Sequence, residues 1–257
     1  MNRSLIVLLV SVLSVVSAQS QHRLKSVSLD QEVTSASIDR PGDLYVTLRD
    51  GKVARIDADG TLQIISSVVS PTLFDPRDGS RLFAYYREQH RYAYLSTQQE
   101  MSSHPLDSAF AIDPWLVCPS GDYNVWIADA ADNTLKKVNT TTSRVDAEVE
   151  FRSDVSAIAF MREYQGFLFV LHPTRGIVVF SGMGKELRTI GKGKTGWFNF
   201  LGEELYYPED GQLTFFNLFN TETRTMKLPK KAALSLVTDT RVYSVNNGTV
   251  EIFATPR

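Results

Sequence analysis

The chain has 257 residues, with 27 basic against 29 acidic, a formal net charge of −2, 43% hydrophobic residues and one cysteine. That balance excludes an electrostatic case for nucleic acid or an anionic membrane surface, and a lone cysteine excludes an internal disulfide. The length suffices for a sizeable core, built as one domain or as a repeat array.

The N-terminus reads MNRSLIVLLVSVLSVVSAQSQ. Arg3 forms a positive n-region, Leu5 to Val16 an apolar run too short for a bilayer, and Val16-Ser17-Ala18 a small-residue cleavage site. This predicts a signal peptide over residues 1–18, cleaved after Ala18, and a single domain over 19–257. Losing Arg3 leaves 26 basic against 29 acidic residues, net −3. Cys118 lies far from the leader, so no lipid anchor is expected, and no later run is long enough for membrane insertion. An exported chain without disulfides suits a bacterial envelope, periplasmic or extracellular. Sequons at Asn139 and Asn247 keep a eukaryotic secretory route open.

After the leader comes a surplus strand, HRLKSVSLD, and then a repeat. GKVARID from Gly51 aligns with HRYAYLS from His90, NTLKKVN from Asn133, RGIVVFS from Arg175, GQLTFFN from Gly211 and GTVEIFA from Gly248. The third residues of these runs lie 39, 43, 42, 36 and 37 residues apart. Each run follows another apolar strand: LYVTL, LFAYY, NVWIA, LFVLH, LYYPE and VYSVN. Short polar turns join the two, and their Gly, Asn and Asp residues suit the positive φ of tight hairpins. A further strand precedes each pair: TSASID, SPTLF, PWLVC, VSAIAF, GWFNF and ALSLV. A fourth follows in four units: TLQIIS, SRVDAEVEF, KELRTI and TRTMKL. Four strands at about 40 residues per unit is the arithmetic of a β-propeller blade.

The last unit stops at its third strand, while the N-terminus carries one strand too many. Strand exchange would hide both open edges. The predicted fold is therefore all-β, a six-bladed β-propeller closed by N-to-C strand exchange in the last blade.

VWIADAADNTLKKVN and LYVTLRDGKVARIDADGTL resemble repeats of the NHL-type six-bladed propellers. VCPSGDYNVWIADAADNTLKKV resembles an uncharacterised group of exported bacterial propellers. The second resemblance implies an envelope location. Neither transfers a catalytic residue.

The search for chemistry finds little. His22, His90, His104 and His172 form no closely spaced pair, and no Cys/His cluster accompanies them. SGDYNVW, from Ser120, resembles the S-x-D-x-G-x-x-W box of sialidases, but is one residue short and lacks the glycine. It reads as a turn followed by a strand whose Trp126 packs between blades. DADG at Asp57 to Gly60 reads as a β-turn, because a calcium loop needs more acidic ligands. No nucleotide loop or nucleophile elbow occurs, and no cofactor or metal is expected. Cys118 reads as a small buried hydrophobe. The aromatic residues could form a carbohydrate platform, but most lie within strands, which favours core packing.

The turns between second and third strands should share one face of the ring. They carry both signs of charge, as suits a protein contact more than a phosphate site. The candidate partner-binding residues are Arg87, Glu88, His90, His172, Arg175, Glu209 and Asp210, with both histidines expected in solvated turns. Arg162 and Glu163 are placed on the opposite face. The expected function is non-catalytic binding of another envelope or extracellular protein, by a monomer or as a subunit of a hetero-complex. The alternatives are a hydrolase or lyase acting on sugars or lactones, and a carbohydrate-binding lectin.

Overall fold

The computed structural model describes residues 22–255, apart from 66–68, 98, 122, 192 and 194. The signal peptide expected over 1–18 lies outside the described residues. The described chain forms six antiparallel sheets of four strands each. Strand β1 (Arg23–Ser28) comes first in sequence but last in the ring. Blade 1 is β2 (Val33–Ile38), β3 (Leu44–Leu48), β4 (Val53–Ile56) and β5 (Leu62–Ile65). Blade 2 is β6 (Leu73–Asp75), β7 (Leu82–Tyr86), β8 (Arg91–Leu95) and β9 (Glu100–Pro105). Blade 3 is β10 (Pro114–Pro119), β11 (Asn124–Asp129), β12 (Thr134–Asn139) and β13 (Arg144–Glu150). Blade 4 is β14 (Phe160–Tyr164), β15 (Phe167–His172), β16 (Gly176–Ser181) and β17 (Glu186–Ile190). Blade 5 is β18 (Asn199–Leu201), β19 (Glu204–Glu209), β20 (Gln212–Asn217) and β21 (Thr223–Lys227). Blade 6 is β22 (Leu234–Val237), β23 (Arg241–Asn246), β24 (Thr249–Ala254) and, on its outer edge, β1.

β1 runs antiparallel to β24, with Val27 opposite Val250 and Ser28 opposite Thr249. The expected strand exchange is present. Without it, β24 would offer an unpaired edge.

Blades pack through alternate faces of their central strands. On β3, Leu44, Val46 and Leu48 join the core shared with blade 6, while Tyr45 joins the core shared with blade 2. On β7, Phe83 and Tyr85 face blade 3, while Leu82, Ala84 and Tyr86 face blade 1. Tyr206 and Tyr207 divide in the same way between blades 6 and 4. Trp126 is fully buried in the core that joins blades 2, 3 and 4. Cys118 is buried in that core too, and burial pushes its thiol pKa up.

Two strand assignments differ from the sequence reading. VSAIAF was expected as the first strand of blade 4. Val155–Ala157 is instead a 3₁₀ turn, and the strand begins at Phe160. Asp154 starts that turn by accepting from the Ser156 N–H at 2.8 Å, and Val155 and Ile158 fill the core beside it. Blade 2 also has a fourth strand, β9, that the sequence reading did not assign. Four of its six residues are exposed.

Several second-to-third-strand turns use left-handed backbone, as their Asn and Asp content predicts: Asn133 at φ 60°, Asp210 at φ 48° and Asn247 at φ 48°. His90 does the same at φ 43°. Gly176 has φ 88°, and a Cβ there would lie 2.9 Å from the Ile190 carbonyl oxygen, so only glycine fits.

Candidate binding cleft at the channel mouth

The innermost strands, β2, β6, β10, β14, β18 and β22, surround the ring axis. Arg162 projects from β14 across it. Its Nη1 donates to Asn199 Oδ1 of blade 5 at 3.0 Å, and its Nη2 to Ser37 Oγ of blade 1 at 2.6 Å. Its Nε lies 3.2 Å from Asp75 Oδ2 of blade 2. One guanidinium thus ties blade 4 to three others. Arg162 is 3% exposed and Asp75 2%.

The next residue, Glu163, joins blade 4 to blade 3. Its carboxylate accepts from Ser120 Oγ at 2.5 Å, Trp126 Nε1 at 2.7 Å and the Gly121 N–H at 3.2 Å. Lys137 Nζ lies 3.5 Å away. Burial pushes the Glu163 pKa up, but these donors outweigh it and hold the carboxyl below its ordinary value. Both residues were expected as exposed charges on the face opposite the second-to-third-strand turns; they stand on that side of the ring, but buried. They are buried because an innermost strand faces the channel, where paired polar groups are tolerated. The sequence did contain one signal: MREY places adjacent opposite charges directly before the Gln165-Gly166 turn, inside an otherwise apolar stretch.

Above Arg162 the channel opens on the face formed by the first-to-second-strand turns. A cleft of about 380 Å³ there takes lining residues from blades 1, 2, 4, 5 and 6. Two neighbouring clefts of about 440 Å³ and 270 Å³ open on the same face, and Arg40 and Arg77 border all three. Tyr164 and Phe200 stack at 4.1 Å on one wall of the first cleft.

Charge in this cleft is unevenly paired. Arg162 is matched by Asp75. Arg40, Arg77 and Arg241 form no ion pair among the described residues. Arg77 donates to the Glu163 backbone oxygen. The buried Nε of Arg241 has no protein partner. Asp39, on the cleft wall, accepts from the Gly42 and Asp43 N–H groups at 2.9 and 2.8 Å. Burial nevertheless raises its pKa. Among the described residues, no three His, Cys, Asp or Glu side chains gather as a metal site would need.

The seven residues proposed from sequence lie in or beside second-to-third-strand turns, on the opposite face. The fold keeps them in separate turns, with blade 3 standing between those of blades 2 and 4. Arg87 lies over the Trp115 ring at 3.6 Å, with Asp113 also 3.6 Å away. Glu88 and His90 are exposed. Arg175 pairs with Glu186 at 2.6 Å. Glu209 accepts from Thr214 Oγ1 at 3.2 Å, and Asp210 is exposed. His172 is not the solvated turn residue expected. It ends β15 and is 4% exposed, with Phe151 against its ring. Its Nδ1 accepts from the Thr174 N–H at 3.3 Å, and burial, then Arg175, lower its pKa.

No family model matches the chain, and no curated protein matches it in sequence. Solved structures do match in shape. The β-propeller domain of Cps50 (Swd1) from Myceliophteria thermophila has a TM-score of 0.62 at 12% identity, covering 92% of this chain and all of that one. Streptogramin B lyase has a TM-score of 0.57 at 11% identity, covering 91% of this chain and 87% of the lyase. PorZ, an essential surface component of the type IX secretion system of Porphyromonas gingivalis, has a TM-score of 0.55 at 8% identity. That match covers 88% of this chain but only 32% of PorZ. At such identities the likeness is one of fold alone: the chain is a six-bladed β-propeller.

Proposed function

We propose that this propeller is a non-catalytic module that binds another protein outside the cytoplasm, as a monomer or within a hetero-complex. One observation carries the reading. The carboxylates nearest the axis, Asp75 and Glu163, are buried and occupied by Arg162, Ser120, Trp126 and Lys137, whereas three arginines at the open mouth lack a carboxylate partner. The held carboxylates are poorly placed to move a proton, and the unpaired arginines suit a complementary surface. The leader expected over 1–18 is in keeping with export, as is the likeness in fold to PorZ, a bacterial surface component. The second-to-third-strand turns still offer Glu88, His90 and Asp210 to solvent, but the cleft lies on the other face, and we place the main contact there.

The test is capture from an envelope extract by immobilised protein, followed by reconstitution with the purified candidate. A single species that co-elutes with the propeller at fixed stoichiometry is the expected result. Absence of any such species, together with turnover of a sugar or lactone panel, overturns the reading. A lyase or hydrolase is the second reading, and the observation on its side is Asp39, a carboxyl of raised pKa in the cleft wall. Turnover abolished by Asp39→Asn would establish it.

A further inference from the structure

None of the three arginines has a carboxylate partner among the described residues, although Arg77 also ties blade 2 to blade 4 through the Glu163 backbone oxygen. Arg40 is exposed on the first-to-second-strand turn of blade 1, Arg77 stands on that of blade 2, and Arg241 opens β23 of blade 6. All three line the channel-mouth cleft, with Arg162 at its floor. The Nε of Arg241 is buried there without a protein acceptor. A buried guanidinium N–H without an acceptor is costly, so the arrangement favours a ligand that brings one. Arg40 adds a planar donor fork of the kind that grips a carboxylate through two parallel hydrogen bonds, and Arg77 adds the donors its bond to the Glu163 oxygen leaves over.

The sign and size of the local charge narrow the ligand. Arg162 is cancelled by Asp75. Within this cleft three arginines then face two aspartates of the lining, Asp39 and Asp239, an excess of one positive charge, with Asp78 near Arg40 lining the adjoining clefts. A carboxylate monoanion matches it, whereas a phosphate dianion overshoots it and a metal cation is repelled. Pro41, Leu201 and the Tyr164–Phe200 stack give the walls an apolar character that suits a carboxylate carried on a hydrocarbon stem. The whole chain carries net −2, so an acidic ligand gains nothing from the molecule's overall charge and must be drawn by this cleft.

We propose that the channel-mouth cleft is a carboxylate-binding site, filled by acidic side chains of the partner protein. The assignment to a partner rests on the protein-binding reading above. The carboxylate chemistry does not.

Fluorescently labelled hexaglutamate is the probe, followed by anisotropy. Hexaglutamine is the uncharged control, and free glutamate and inorganic phosphate are the competitors. Saturable binding of hexaglutamate is expected, with hexaglutamine at least about tenfold weaker, as the loss of charge-assisted hydrogen bonds implies. Arg40→Gln and Arg241→Gln should each weaken hexaglutamate by about five- to tenfold. Glu148→Gln, on the exposed outermost strand of blade 3, should leave it unchanged. Arg40 is exposed, so its variant should melt as the parent does, and this separates loss of binding from loss of fold.

Equal affinity for hexaglutamine, no saturable binding, or binding that survives both arginine variants overturns the site. Displacement by phosphate at lower concentration than by free glutamate overturns the carboxylate assignment. Capture of the protein partner that survives Arg40→Gln, while hexaglutamate binding falls, overturns only the assignment to a partner side chain and leaves the protein-binding reading standing.

Discussion

At the scale of single residues, the axis of the ring depends on Arg162. Removing one member of a buried ion pair leaves the other charged and unsolvated, which costs about 3–5 kcal/mol. Arg162→Met should show that loss in urea unfolding, because Asp75 is 2% exposed and loses its counter-charge. Adding Asp75→Asn should recover most of it, since the amide carries no charge and its oxygen still accepts from the Arg77 N–H that Asp75 Oδ1 now meets at 3.0 Å. A single variant that costs under about 1 kcal/mol would show that the axis does not need the pair.

Acid should unfold the protein in two limbs. His172 titrates below its ordinary 6.5 in the fold. As pH falls from about 6.5 towards that lowered value, the unfolded chain takes up a proton that the folded chain refuses, so stability falls. Glu163 is also depressed, below its ordinary 4.5. Its contribution is full above about 4.5 and is lost as pH drops through the lower folded value. Urea midpoints measured from pH 7.5 to 3 should show both limbs, and His172→Gln should remove the first alone. An unchanged slope between pH 6.5 and 5 in that variant would assign the first limb to some other group.

At the scale of elements, the strands divide by what they face. β3, β7 and β11 are buried along their whole length, because a central strand packs on both neighbours. Such strands are legible in sequence as short apolar runs bounded by Gly, Asn and Asp turns. Innermost strands line a polar channel, and outermost strands meet solvent, so neither needs an apolar run. That is why MREY was passed over in favour of VSAIAF, and why β9 went unassigned. The same physics hid the site. Arg162 and Glu163 look like surface charges to a reading that cannot tell the axis from the rim. The cleft itself is assembled by turns distant in sequence, and no single turn announces it.

Strand β1 makes a prediction at this scale. Deleting residues 22–30 removes Val27 from the core between blades 6 and 1 and exposes the edge of β24. In a chain this size each kcal/mol moves Tm by about 2–4 °C, and losing a strand costs several, so Tm should fall by at least about 10 °C. Aggregation should accompany it, because an unpaired edge recruits other strands. Adding a synthetic β1 peptide in trans should restore part of the lost Tm. A truncated chain that stays monomeric with the parent's Tm would remove strand exchange as the closing device.

At the scale of the whole molecule, the ring is closed by two kinds of contact. The seam lies inside blade 6, where β1 pairs with β24 and its hydrogen bonds bind the blade together. At the junctions between blades, that from β1 to β2 included, a linker continues the chain and side-chain packing does the rest. The cores are unequal. One continuous cluster spans blades 2, 3 and 4, with Tyr85, Trp126 and Phe180 among its fully buried side chains. The cluster between blades 5 and 6 is smaller, and includes Met226 and Phe253 at the edge of exposure. Circular permutation can test whether this inequality governs stability. His22 and Ala254 lie side by side, with the Ala254 N–H donating to the His22 carbonyl at 3.0 Å, so a short linker can join the chain there. New ends can then be cut at the exposed turn near Ser108, between blades 2 and 3, or near Lys231, between blades 5 and 6. Either cut leaves every blade built from one continuous stretch of chain, and leaves closure at the cut junction to side-chain packing alone. The cost of bringing ring ends together grows only slowly with chain length, so it is nearly the same for both permutants. Their difference therefore reports the packing at each cut. The permutant cut near Ser108 should keep the higher Tm. In the permutant cut near Lys231, hydrogen exchange should quicken first in blades 5 and 6, where local opening meets the smaller core. The reverse order of Tm, with exchange quickening first around Trp126, would show that the size of the buried cluster does not set the strength of the ring.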